Sequence, residues 1–125
     1  MNIPDNLKFT KSDEWFDPGT GAVGISDYAQ SQLSDIVFAE ILVEEGDTLE
    51  AGKPIASVES VKASAEIYAP SSGKVIAVNK DLTEKPEVLN TSPYDTAWMI
   101  KLEGGQASDL MDAAAYKKYC EERSQ

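Results

Sequence analysis

The run Val58-Glu59-Ser60-Val61-Lys62-Ala63-Ser64-Ala65-Glu66 sets one lysine among small and alternating residues, a setting in which Lys62 could do chemistry. An exposed lysine is ordinarily a solvated surface charge. At the tip of a β-hairpin, between small neighbours, it is also within reach of an enzyme's active site. Its unbranched stem and primary amine suit it to hold a carrier group through an amide bond. The chemistry then belongs to the attached group, and the protein supplies position and surroundings. Lys53 and Lys74 also follow glycines near strand starts, but they lack this setting and read as surface charges. Little else in the chain is equipped for catalysis. It has no histidine and a single cysteine, Cys120, which removes intramolecular disulfides, His-dependent triads and an imidazole base. Cys120 itself reads as a buried small residue rather than a nucleophile.

The elements that must position Lys62 follow from periodicity. Ile55 to Val61 and Ala65 to Ala69 alternate with period two, which predicts a hairpin over about 55–69 with its tip at Val61-Lys62-Ala63. The tip carries no Asn-Gly or Asp-Gly signal. Leu7-Lys8-Phe9 and Glu14-Trp15-Phe16 read as short strands around a polar turn, and Asp17 to Gly21 as a turn before a strand at Ala22 to Ile25. Asp27 with Gln30 resembles a capping box for a short helix over 27–33. Asp35 to Val43 reads as a largely buried strand, Lys74 to Asn79 and Ala97 to Leu102 as further strands, and Pro86 to Asn90 as a helical turn. GKPIASV and GKVIAVN share a loose pattern that hints at a duplication. Ser108 is the expected N-cap of a C-terminal helix over about 108–123, with Met111, Ala115 and Tyr119 as its apolar stripe. Trp15, Tyr68 and Trp98 read as packing residues.

At 125 residues the chain has room for one core, so residues 1–125 are expected to form one domain. Its formal charge of −11 repels phosphate backbones and anionic membranes, and favours encounter with basic protein surfaces. No apolar run approaches the length of a membrane span, and the first residues carry no signal-peptide pattern. The default expectation is therefore a cytoplasmic, monomeric protein with neither nucleic acid nor membrane as partner.

Glu59-Ser60-Val61-Lys62-Ala63 with Tyr68-Ala69-Pro70-Ser71-Ser72-Gly73-Lys74-Val75 closely resembles the lipoyl-attachment region of glycine cleavage system H-proteins. Lys11 to Trp15, Gly24 to Gln30, Asp35 to Phe38, Asn90 to Tyr94 and Trp98 to Lys101 resemble further segments of that family, in family order. The resemblance implies a mostly β fold, the barrel-sandwich hybrid of lipoyl and biotinyl carriers, with a short internal helix and a C-terminal helix. It implies that Lys62 carries covalent lipoic acid, one per chain, attached by a lipoate ligase or lipoyltransferase that recognises Glu59, Val61 and Ala63. The implied partners are a pyridoxal-phosphate glycine decarboxylase, a tetrahydrofolate-dependent aminomethyltransferase and the FAD enzyme dihydrolipoamide dehydrogenase, served by a non-catalytic carrier. Ser12, Glu14 and Glu66, with Asp27 as a fourth, are the residues implied for a cleft that shields the loaded arm.

Three positions depart from the family pattern: Asp13 where a His commonly stands, Ser34 where a Gly commonly ends the short helix, and a longer 39–46 segment without its usual Pro. The last reads as a bulge or an extended turn. The acyltransferase lipoyl domains of 2-oxoacid dehydrogenases place Asp-Lys-Ala at the tip and biotinyl carriers Met-Lys-Met, and neither is present. The standing alternative is an H-like protein that acts as a lipoyl donor in a relay, or as an unmodified interaction module, since the same lysine and fold would serve either use.

Overall fold

The computed structural model describes residues 1–104 and 110–123. In chain order the elements are β1 (Lys8–Phe9), β2 (Glu14–Phe16), β3 (Ala22–Ile25), α1 (Asp27–Leu33), β4 (Ile36–Ile41), β5 (Thr48–Leu49) and β6 (Pro54–Ser60). Then follow β7 (Ser64–Tyr68), β8 (Gly73–Val78), α2 (Asp81–Glu84), α3 (Val88–Thr91), β9 (Ile100–Glu103) and α4 (Ala113–Arg123). The strands form an antiparallel six-stranded sheet, β1-β2-β3-β9-β8-β5, and an antiparallel three-stranded sheet, β4-β6-β7.

Side-chain alternation explains the layering. Val23, Ile25, Val75, Ile100 and Leu102 from the larger sheet pack in one cluster with Ile36, Ala39, Val58 and Ile67 from the smaller, and Leu82 and Leu89 of the two short helices join them. A second cluster holds Leu7, Phe9, Trp15, Tyr28, Ala113, Tyr116 and Cys120. Its centre is a parallel stack of the Phe9 and Tyr116 rings, 4.4 Å between centroids. Trp15 lies directly over Gly24, where a Cβ would approach the indole to 2.6 Å, and its Nε1 donates to the Pro93 carbonyl at 2.9 Å.

The expected strands, the short helix and the hairpin are present, although the last strand begins at Ile100 rather than Ala97, and three further local expectations need correction. β4 is half-buried: Ile36 and Ala39 face the core while Val37, Phe38 and Glu40 face solvent, as one-sided packing of an antiparallel sheet requires. Of the bulge or extended turn expected in 39–46, the turn is present at Glu44–Asp47, with φ of +95° at Gly46, and the register shift of β4 lies earlier, at Ile36/Phe38. Ser26 caps α1, since its Oγ accepts from Ala29 N at 3.1 Å, and Gln30 Nε2 instead donates to the Asp27 carboxylate. Asp112 accepts from Ala115 N at the start of α4, while Met111 forms a β-bridge with Phe9. The buried face of α4 is therefore Ala113, Tyr116 and Cys120 rather than the expected stripe at Met111, Ala115 and Tyr119: Tyr116 and Cys120 each lie one residue beyond the expected positions, and Met111 precedes the helix. Ser108 lies outside the described residues.

Candidate functional site

The β6–β7 hairpin carries Lys62 at its apex, exposed to solvent. Val58 and Ile67 anchor the two strands in the core, and Glu59 pairs with Ser64 where the strands end. Ser60 closes the tip. Its backbone N–H donates to Ala63 O at 2.7 Å, and its Oγ accepts from Ala63 N at 3.0 Å and from Lys62 N at 3.3 Å. The hydroxyl thus supplies the turn chemistry that Asn-Gly would otherwise provide. Val61 N donates to Asp35 O at 3.0 Å, which ties the tip to the entry of β4. A rigid backbone therefore presents a side chain free to swing. Glu59, Val61 and Ala63 are exposed around it.

The other end of β7 opens on a cleft lined by Thr10, Ser12, Glu14, Tyr68, Ala69 and Pro70 among others. Glu14, on β2, is only 1% exposed. Its Oε1 accepts from Thr10 Oγ1 at 2.5 Å and from Ser12 Oγ at 2.6 Å, and its Oε2 accepts from Tyr68 N at 3.2 Å. Burial pushes the Glu14 carboxyl above the usual carboxylate range, against the pull of those three donors, and the neighbouring Asp13 charge adds to the rise. One buried carboxylate thus joins the Thr10–Glu14 turn to the exit of the lysine-bearing hairpin.

Ser12 and Glu14 are therefore together in this cleft. Glu66 stands on the exposed face of β7, between Ser64 near the tip and Tyr68 at the cleft, and outside the cleft lining. Asp27 lies elsewhere: its carboxylate accepts from Asn2 N at 2.7 Å and from Gln30 Nε2 at 2.6 Å, and its backbone N–H donates to Tyr94 Oη. Two contributors went unread in the sequence. Thr10 was visible as the first member of the alternation Thr10, Ser12, Glu14, all on one side of a strand-turn. The Tyr68 N–H is a backbone group and leaves no sequence signal.

Asp13, at φ +75°, accepts from Tyr116 Oη at 2.8 Å and forms an ion pair with Arg123, the last residue of α4. The Arg123 guanidinium lies over the rings of Tyr28 and Tyr119, at 4.4 and 4.2 Å. The carboxylate that replaces the expected His is thereby matched by a cation from the far end of the chain.

Among the described residues no helix is long and apolar enough to cross a membrane. A family profile described as "Glycine cleavage H-protein" matches residues 7–123. Glycine cleavage system H proteins of Bacillus cytotoxicus and Bacillus cereus are 47% identical to the chain over 127 residues, covering 100% of this chain and 99% of theirs. The crystal structure of a glycine cleavage system H protein from Mycobacterium marinum superposes with a TM-score of 0.83 at 29% identity, covering 98% of this chain and 100% of that one. The two packed sheets with short helices and a C-terminal helix accord with the barrel-sandwich hybrid. A profile match over nearly the whole chain, relatives of equal length and a shared fold lead to one conclusion: the chain belongs to the glycine cleavage H-protein family.

Proposed function

We propose that Lys62 is the residue through which this family member carries lipoic acid, and that the protein shuttles one-carbon cargo and electrons among the enzymes of glycine cleavage. The observation that carries the reading is the position of Lys62: exposed at the apex of a hairpin whose tip is fixed by Ser60 and by the Asp35 carbonyl. Held on Lys62, a lipoyl group would supply a disulfide able to accept the aminomethyl group of glycine from the pyridoxal-phosphate decarboxylase, for delivery to the tetrahydrofolate-dependent aminomethyltransferase and reoxidation by the FAD enzyme dihydrolipoamide dehydrogenase. The chain's own residues hold and shield.

By strand periodicity Ser64, Glu66 and Tyr68 share the solvent face of β7, which makes a track from the Lys62 root to the cleft. Along it Glu66 offers an exposed carboxylate to a cationic amine. Within the cleft, Ser12 and Thr10 hydroxyls hold the Glu14 carboxylate in place, and its negative charge favours the protonated form of an amine brought beside it. Kept cationic and out of bulk water by these residues, a bound amine would be protected against loss as ammonia. Asp27 contributes by anchoring the N-terminal segment through Asn2 N.

Expression with a lipoate ligase and lipoic acid, followed by intact-mass analysis and peptide mapping, tests the reading. One lipoyl increment on the Lys62 peptide, absent from Lys62→Arg, is expected. Modification at Lys53 or Lys74, or none at all, overturns it.

A further inference from the structure

We propose that the solvent face of the β4-β6-β7 sheet, beside Lys62, is the docking surface for the enzyme that attaches the lipoyl group, and that this enzyme meets it with lysines and arginines set around an apolar pocket. The inference rests on Lys62 being the attachment residue.

Residues directly opposite in antiparallel strands share a face. Phe38 lies opposite Glu59, which lies opposite Ser64; Glu40, Ser57 and Glu66 form the next row. Leu42, just beyond β4, continues the alternation from Phe38 and Glu40. Phe38 is 38% exposed and Leu42 49%, and Val61, 68% exposed, stands at the tip end of the face. Single exposed apolar side chains are commonplace on protein surfaces. Here they are grouped on one face and interleaved with three carboxylates, Glu40, Glu59 and Glu66, none of which is held in an ion pair among the described residues.

Two arguments select the occupant. The first is reach. An enzyme served later by the arm can sit wherever the arm extends, whereas the attaching enzyme must bring its active site to the Lys62 amine itself. The bond it forms is an amide between Nζ and the carboxyl carbon of lipoic acid, presented as an acyl adenylate. AMP leaves with the carbonyl–phosphate bond's electrons, and the amine proton passes to solvent. A standard interface of about 800 Å² per partner is a disc roughly 30 Å across. Ile36 lies opposite Ser60 at the tip end, and Leu42 is six residues beyond it, about 20 Å at 3.3 Å per residue. A footprint with the tip at one edge therefore covers Phe38, Glu40 and Leu42.

The second argument is charge. A net charge of −11, with Glu40, Glu59 and Glu66 on this face, attracts a basic surface, and by the same repulsion disfavours a second copy of this chain there. Apolar anchors framed by charges that are satisfied across the interface are the usual composition of a specific contact.

The test uses the unlipoylated full chain with a lipoate ligase, lipoic acid and ATP, and follows the gain of one lipoyl increment by intact mass as protein concentration varies. The double variant Phe38→Ser/Leu42→Ser is expected to raise KM for the protein about tenfold, typical of lost anchors, with kcat held within about twofold. Glu40→Lys is expected to raise KM and flatten its dependence on salt. Ile76→Ser, at an exposed apolar position on β8 of the other sheet, leaves both constants unchanged. Thermal melting of each variant confirms that the fold is kept.

If the wild-type chain gains no lipoyl group, the reading of Lys62 itself fails. If it is modified and the double variant matches it, or if Ile76→Ser loses as much, the docking face is overturned. An unchanged salt dependence in Glu40→Lys overturns the basic character of the partner. A dimer in sedimentation that the double variant dissociates gives the face to a second copy and overturns the proposal.

Discussion

At Glu14 the demands of folding and of the proposed shielding role oppose each other. Burial raises its carboxyl above the ordinary value of 4.5, so in the pH range just above that value the native chain binds more proton than the unfolded one. Its contribution to stability is fully present below the unfolded value and is lost as pH rises through the raised native one, the reverse of a salt-bridged carboxylate. Denaturant titration should therefore show Glu14→Gln gaining stability relative to wild type as pH rises from about 4.5 toward neutrality. A difference that is constant with pH would show that the carboxyl is not held in this way. A second residue-scale strain sits at Ser34, which ends α1 at φ +65° and ψ −146°, a region that side chains rarely adopt. Asn90 holds it there, donating to Ser34 O at 2.8 Å while its Oδ1 accepts from Ile36 N. Ser34→Gly should stabilise the chain by about 0.5–1 kcal/mol, read as a higher urea midpoint with unchanged slope.

At the scale of elements, α4 illustrates which features the sequence could yield and which it withheld. Its existence is legible from helix-forming residues through Arg123, whereas its buried face departs from the expected stripe, with Tyr116 and Cys120 in place of Ala115 and Tyr119. Met111 was counted into the helix, yet its backbone exchanges hydrogen bonds with Phe9, a pairing across a hundred residues that no local pattern encodes. The hairpin was legible because both strands alternate; its closure was not, because Ser60 performs by side chain what turn dipeptides perform by backbone. β4 reads as largely buried because apolar composition does not say which face of a strand meets water. The cleft was half legible: Ser12 and Glu14 came from resemblance, while Thr10 and the Tyr68 N–H emerge only when a turn at 10–14 and a strand end at 68 are brought together. Helix α4 is latched to that turn by the Arg123–Asp13 pair, which is only partly solvent-exposed. Arg123→Ala should cost about 1 kcal/mol through lost ion pairing and stacking, and should increase hydrogen exchange in α4 well before the core strands respond. Uniform exchange loss across the chain would argue against a local latch.

For the molecule as a whole, topology sets the Lys62 root and the cleft at opposite ends of one short strand, so the lysine projects outward from one fixed end while the other end opens on the cleft. β7 spans five residues from Ser64 to Tyr68, and both its ends are pinned, one through the Ser60 turn and the other through Glu14. On the proposed function, a fixed root would confine the search to the lipoyl arm and so raise its effective concentration at each active site it served. Diffusive encounter with those enzymes is a separate matter, governed by the field of the whole chain. With a formal charge of −11, long-range attraction to basic entrances should accelerate association at low salt. That attraction fades once the Debye length shrinks from about 10 Å at 0.1 M to about 3 Å at 1 M. The lipoylated protein should therefore show a kcat/KM for glycine decarboxylase that falls steeply with ionic strength, while kcat at saturation changes little, because salt weakens encounter and leaves the seated arm's chemistry intact. Decarboxylation measured across that salt range with free lipoate, whose small charge gives weak steering, supplies the baseline. Equal salt slopes for the protein and for free lipoate would mean that the acidic surface serves solubility alone.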